Sequence, residues 1–152
     1  MKIRKLAGFS LIELLVTIAV VGILSTLALT TYSVSIKKAK RVEAKGALFK
    51  AMQQEERFFT QNNSYTEFGK SSTDPNASAF SWHSADSPHK SSYELNAVAC
   101  KDSAIQYCVE IVAVPGSANV DRNFQDIECG KFSITSTGIK SFSGSASKDL
   151  CW

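Results

Sequence analysis

From Phe9 to Leu29 the chain is apolar on all sides, and Glu13 is the only charged residue among these 21 positions. At a rise of 1.5 Å per residue, a helix of that length is about 31 Å long, enough to cross the hydrocarbon core of a bilayer. Beyond Lys37 the pattern becomes one-sided. Ala44, Leu48, Ala51, Met52, Glu55 and Phe59 recur at helical spacing with Ala47 beside them, opposite Lys45, Lys50, Gln53 and Arg57. No proline and one glycine, Gly46, fall between Lys37 and Thr60. One long helix is therefore predicted, from Ser10 to about Gln61, ending at Gln61-Asn62-Asn63-Ser64. Its first half is to be covered by lipid or neighbouring molecules, and its second half is to pack one face on a sheet.

Residues 67–91 are rich in Ser, Asp, Asn, Pro and Gly and predict an irregular connection anchored by Phe80 and Trp82. From Ser92 the period falls to two. Tyr93, Leu95 and Ala97 form one alternating set, Ile105, Tyr107, Val109, Ile111 and Ala113 a second, and Phe132 and Ile134 a third. Pro115-Gly116 and Thr137-Gly138 read as turns. The expected fold class is α+β: a long N-terminal helix packed on a small antiparallel sheet of three to four strands.

The chain has 17 Lys+Arg and 14 Asp+Glu. Lys2, Arg4 and Lys5 lie ahead of the apolar run, and the remainder balances, so there is no global electrostatic reason to bind nucleic acid. The densest basic cluster, Lys37, Lys38, Lys40 and Arg41, follows the apolar run and is expected to meet lipid headgroups or acidic neighbours. Cys100, Cys108, Cys129 and Cys151 make an even count, which points to two disulfides and an oxidising compartment, and so to a C-terminal part outside the cytoplasm. Four cysteines allow three pairings. Cys100 and Cys108 flank the first hairpin and can bridge adjacent strands; Cys129 and Cys151 enclose the C-terminal segment. With no C-x-x-C, zinc is disfavoured. His83 and His89 share a loop with Asp86, too thin a set for a metal, and no metal or cofactor is expected. No nucleophile–base pair, phosphate loop or paired catalytic carboxylate is present, which argues against an enzyme. An ordinary signal peptide cut near Ala28–Thr31 is the rival to a retained helix; the length of the apolar run and the interruption at Glu13 count against it.

A basic leader ending in Gly8, then Phe9, Glu13 and a long apolar run resembles the class III signal of type IV pilins. The resemblance implies cleavage between Gly8 and Phe9 by a prepilin peptidase, N-methylation of Phe9, and pairing of Glu13 with the Phe9 amine of a neighbouring subunit during assembly. Residues 54–66, Gln-Glu-Glu-Arg-Phe-Phe-Thr-Gln-Asn-Asn-Ser-Tyr-Thr, resemble the helix end of the PilE-like minor pilin subgroup. So do the Cys129-Gly130-Lys131 start and the Asp149-Leu150-Cys151-Trp152 end of the last segment. The subgroup implies a Cys129–Cys151 disulfide holding the C-terminus down, whereas a Cys100–Cys108 pair rests on the hairpin geometry alone. Thr30 stands where such pilins usually carry a proline.

The implied organisation is a cleaved leader at 1–8, a transmembrane and filament-core half-helix at 9–29, and a periplasmic pilin head at 30–152 that includes the amphipathic half of the helix. The implied function is a structural, minor subunit of a type IV pilus, first single-pass in the inner membrane and then on the cell surface, serving twitching, adhesion or DNA uptake. Its expected partners are other pilin subunits, the prepilin peptidase and the inner-membrane assembly platform. The alternatives are a DNA-binding minor pilin, which the neutral head supports weakly, and a type II secretion pseudopilin, whose Asp-rich calcium loop is not evident around Asp149.

Overall fold

The computed structural model describes residues 9–152, with the backbone alone for 27–31. The leader, including Gly8, and the side chain of Thr30 lie outside the described residues. The chain divides between Lys38 and Ala39 into two compact units. Helix α1 runs from Leu11 to Asn62 without a break, through Thr30.

In the first unit, α1 carries its large apolar side chains in the open. Leu11, Ile12, Leu14, Leu15, Val16, Ile18, Val20, Val21, Ile23 and Leu24 are all exposed. A continuous exposed apolar surface of this kind calls for a lipid or protein partner. Polar side chains on it turn back onto the helix: the hydroxyls of Thr17, Ser25 and Thr26 donate to the carbonyls of Leu14, Val21 and Ile23 at 2.7, 2.8 and 2.8 Å. Among the described residues, no helix is long and apolar enough to cross a membrane. The side chains at 27–31 that would complete the Phe9–Leu29 run are not among those described.

The second unit is built on the C-terminal half of α1. The predicted stripe is the buried one: Ala44, Leu48, Ala51, Met52 and Glu55 are buried, and Ala47 and Phe59 pack at its margin. At Asn63 the backbone turns left-handed (φ 55°), and its N–H donates to Phe59 O at 2.8 Å, closing the helix. Four antiparallel strands follow, β1 (Tyr93–Ala99), β2 (Val109–Pro115), β3 (Phe132–Thr135) and β4 (Lys140–Phe142), in the order β1-β2-β3-β4. Leu95 faces Ala113, which faces Phe132; Ala97 faces Ile111, which faces Ile134. These two rows, with Tyr93 and Val109, make the apolar side of the sheet.

The second alternating set is shorter than its pattern predicts. Ile105 and Tyr107 are not in β2, which begins at Val109. Cys100 and Cys108 close a small ring, and the N–H groups of Tyr107 and Cys108 both turn back to Ala104 O, so the backbone is coiled where alternation suggested a strand. Tyr107 projects with 74% of its surface exposed.

The connection from Asn63 to Ser92 contains two 3-10 turns, Pro75–Ala79 and Pro88–Lys90. It also covers the free edge of β1: the N–H groups of Leu95 and Ala97 donate to Trp82 O and Phe68 O, each at 2.8 Å. Phe80 is buried and stacks on Phe68 at 4.9 Å, while Trp82 is half-buried beneath Lys70 Nζ at 4.7 Å. The turn after β2 needs a glycine. Gly116 has φ +61°, and a Cβ there would lie 2.2 Å from Phe124 O. A last short helix, α2 (Lys148–Cys151), carries the chain to Trp152.

Candidate functional site

The N-terminal determinants lie together at the start of α1. Phe9 is exposed, and Glu13 sits in the first turn. Ser10 precedes the helix, its carbonyl accepts from Leu14 N at 3.2 Å, and its hydroxyl accepts from Glu13 N at 3.4 Å. The Ser-x-x-Glu spacing is that of a capping box, and an acidic side chain is favoured by the helix dipole there. Local helix chemistry therefore already accommodates Glu13 before any partner is present. Gly8, the other half of the expected cleavage site, is outside the described residues.

The cysteines of the head pair as Cys100–Cys108 and Cys129–Cys151. The two differ in surroundings: Cys129 and Cys151 are wholly buried, whereas Cys100 and Cys108 are half-buried. The Cys129–Cys151 region is fastened to α1 in several further ways. Lys45 Nζ donates to Cys151 O at 3.0 Å. The Trp152 ring meets Phe49 and Phe132 edge-on at 6.2 and 5.7 Å, and its Nε1 donates to Ser141 O at 2.7 Å. Lys140 Nζ lies 5.0 Å from the Phe49 ring and 5.5 Å from that of Trp152.

Of the basic cluster expected to meet lipid headgroups or acidic neighbours, Arg41 meets acidic groups, and they lie in the head of the same chain. Its side chain is buried and paired twice, through Nε and Nη2 to Asp126 at 2.8 and 2.6 Å, with Nη2 also reaching Glu128 at 2.5 Å. The Tyr93 hydroxyl donates to Asp126 at 2.7 Å, and the Cys129 N–H donates to it at 3.2 Å. Burial alone would raise the Asp126 carboxyl, but the bonds from Arg41, Tyr93 and Cys129 outweigh it and hold the group below the usual carboxylate range. Burial and the Asp126 bond push the Tyr93 hydroxyl far above its ordinary value. Lys40 is likewise occupied, with Glu43 at 3.1 Å and Lys90 O at 3.0 Å. Of the four basic residues, Lys37 and Lys38 are exposed. The ligands of Arg41 lie 85 and 87 residues away, so no local spacing announced them.

His83 Nδ1 is 2.6 Å from Ala85 O, an internal loop contact, and among the described residues no group of three or more His, Cys, Asp or Glu could hold a metal.

A long helix with an uncovered apolar first half, a four-stranded antiparallel sheet on its second half and a disulfide-closed C-terminal region define a type IV pilin. The family model described as type IV minor pilin ComP, DNA uptake sequence receptor, matches residues 30–133, and that of the prokaryotic N-terminal methylation motif matches residues 3–29. The chain belongs to the ComP family of type IV minor pilins. The family is one of structural pilins, whose members work with other pilus components. No curated protein matches the chain. Among solved structures, a type IV pilin from Shewanella oneidensis is similar at 23% identity over 68% of this chain and 89% of that one, with a TM-score of 0.43, a likeness too low to carry weight.

Proposed function

We propose that this minor pilin is cleaved between Gly8 and Phe9, methylated at Phe9, held in the inner membrane by the start of α1, and drawn into the filament by that same helix. The carrying observation is the uncovered apolar half of α1 together with the methylation motif over residues 3–29. The prepilin peptidase and the assembly platform are the partners this route requires. Glu13 supplies the one charge in the apolar run, and its partner is the α-amine that cleavage creates on Phe9 of an adjacent subunit. In apolar surroundings either charge alone is costly, so the pair sets register more than it adds net stability. N-terminal sequencing of the mature protein tests the route. N-methyl-Phe9 is expected, and a start near Thr31 would overturn it.

A second reading is favoured by the description of the matched family, whose namesake is a DNA uptake sequence receptor. Neutrality of the whole head conceals a local bias. The segment closed by Cys129 and Cys151 exposes Lys131, Lys140 and Lys148 against Asp149, beside the aromatic rings of Phe49 and Trp152. Lysines interleaved with aromatics suit phosphate contact with neighbouring base or sugar packing. A mobility-shift series on the full chain in detergent, run at increasing salt, tests this reading. Binding that weakens with salt, and weakens further in a Lys131, Lys140 and Lys148 triple alanine variant, is expected. Absence of any shift at low salt would refute it.

A further inference from the structure

Glu55 stands on the packed face of α1, two turns before the helix ends, and its side chain is 0% exposed. Its Oε2 accepts the Thr66 N–H at 3.2 Å, and its Oε1 has no hydrogen-bond partner among the described residues. Around it the junction between helix and connection is assembled from a few polar bonds. The Tyr65 hydroxyl donates to Glu56 Oε1 at 3.0 Å, and the Tyr65 ring stacks on Phe59 at 4.6 Å. The Thr66 hydroxyl donates to Asp74 Oδ2 at 3.1 Å, and Asp74 Oδ1 accepts from Asn76 N at 2.8 Å. A buried carboxyl group is thus one of the ties by which α1 holds the first residues of the connection.

None of the groups that face Glu55 favours its charged form strongly. From α1 comes the like charge of Glu56. From the connection come the Thr66 N–H and the Tyr65 hydroxyl, with Asp74 behind Thr66. The apolar side of the sheet offers no titratable group except Tyr93, whose hydroxyl is bonded to Asp126. A buried carboxylate with one N–H donor and no cation is poorly compensated when ionised.

We propose that Glu55 is a proton-controlled latch at the helix–connection junction. Neutral, it stays buried with Thr66 and the residues next to it docked on α1. Once it has lost its proton to solvent, the cost of a buried charge with an unpartnered oxygen outweighs the firmer bond to the Thr66 N–H, and the junction opens to water. The hydrogen bonds from Ala97 N to Phe68 O and from Leu95 N to Trp82 O hold the rest of the connection on β1, so the release is local. Burial raises the Glu55 carboxyl to about 7, which places the change near neutrality. Acidity thereby controls the opening of the helix–connection junction, whether or not the head binds DNA.

Hydrogen exchange on the full chain in detergent micelles, corrected for intrinsic pH dependence, tests the latch. Between pH 5.5 and 8.5 the protection of residues 63–67 is expected to fall about tenfold or more relative to β2, and Glu55→Gln is expected to remove that fall. Flat protection in the wild type, or an equal fall in Glu55→Gln, would overturn the proposal. Should Glu55→Gln not fold, a carbon-13 carboxyl titration of the wild type decides. A Glu55 midpoint near 7 that coincides with the loss of protection supports the latch, and a midpoint in the ordinary carboxylate range sinks it.

Discussion

Arg41 and Asp126, 85 residues apart in the chain, form a two-pronged ion pair in the interior of the head, with Nε–Oδ2 at 2.8 Å and Nη2–Oδ1 at 2.6 Å. The pair ties α1 to the residues just ahead of Cys129, and Tyr93 brings β1 into the same cluster. Removing one member strands the other charge in a buried place. Arg41→Met is therefore expected to cost roughly 3–5 kcal/mol, and Arg41→Met with Asp126→Leu to recover only part of that loss, because the Tyr93 hydroxyl and the Cys129 N–H lose their acceptor. Urea unfolding of the three proteins checks it; equal losses in the single and double variants would show that the ionic contact itself is not the cause.

The same cluster sets the acid limit of stability. The Asp126 carboxyl lies below its unfolded value, so its contribution is present above the unfolded pKa of about 3.9 and disappears as pH falls through the lower folded value. Glu55 has the opposite sign. Its folded value, about 7, is above the ordinary value of 4.5, so stability is greatest below 4.5 and declines as pH rises to 7. The gap corresponds to about 3 kcal/mol at most, since local opening relieves part of it. Thermal unfolding of the head is thus expected to show its highest midpoint in mildly acid solution, and Glu55→Gln to flatten the fall between pH 5 and 7.5. An unchanged slope in that variant would assign the fall to other groups.

How legible these features were depended on whether their partners lay nearby in sequence. The stripe Ala44, Leu48, Ala51, Met52 and Glu55 is a local periodicity, and it is the face that α1 buries. The strands followed from alternation, except where the Cys100–Cys108 ring coils Ile105 and Tyr107 away from β2. The basic run that ends at Arg41 points to lipid headgroups or acidic neighbours without saying which acids Arg41 meets. Only the fold brings Asp126 and Glu128 to it. The Ser10–Glu13 cap is a three-residue spacing and so is local enough to be legible in the sequence.

The two disulfides should be unequal. In the chain-entropy picture, a link across 22 residues contributes about 3 kcal/mol and one across 8 about 2.5 kcal/mol. Burial widens that difference, because Cys129 and Cys151 are packed with Phe132 and Trp152 in the core while the other pair is half-exposed. Paired Cys→Ser variants at 129 and 151 are expected to lose most of the folded head at 37 °C, and those at 100 and 108 to remain folded. Mild reduction followed by alkylation and mass mapping should label Cys100 and Cys108 first. Labelling of Cys129 and Cys151 at the same rate would contradict the burial argument.

Glu13 has two possible employments, and substitution can separate them. If its role ended with capping α1 after Ser10, Glu13→Gln would serve nearly as well as Glu, since Gln also fits a capping box, and any loss would be a few tenths of a kcal/mol of helix stability. If it pairs with the Phe9 amine of an adjacent subunit, Gln removes the charge that balances that amine and should fail as Ala does. Both Glu13→Ala and Glu13→Gln are expected to leave cleavage and the head's unfolding midpoint unchanged. Both should shift the protein from sheared filaments to the membrane fraction, several-fold relative to wild type by quantitative blot. Normal incorporation of Glu13→Gln would leave Glu13 with the capping role alone.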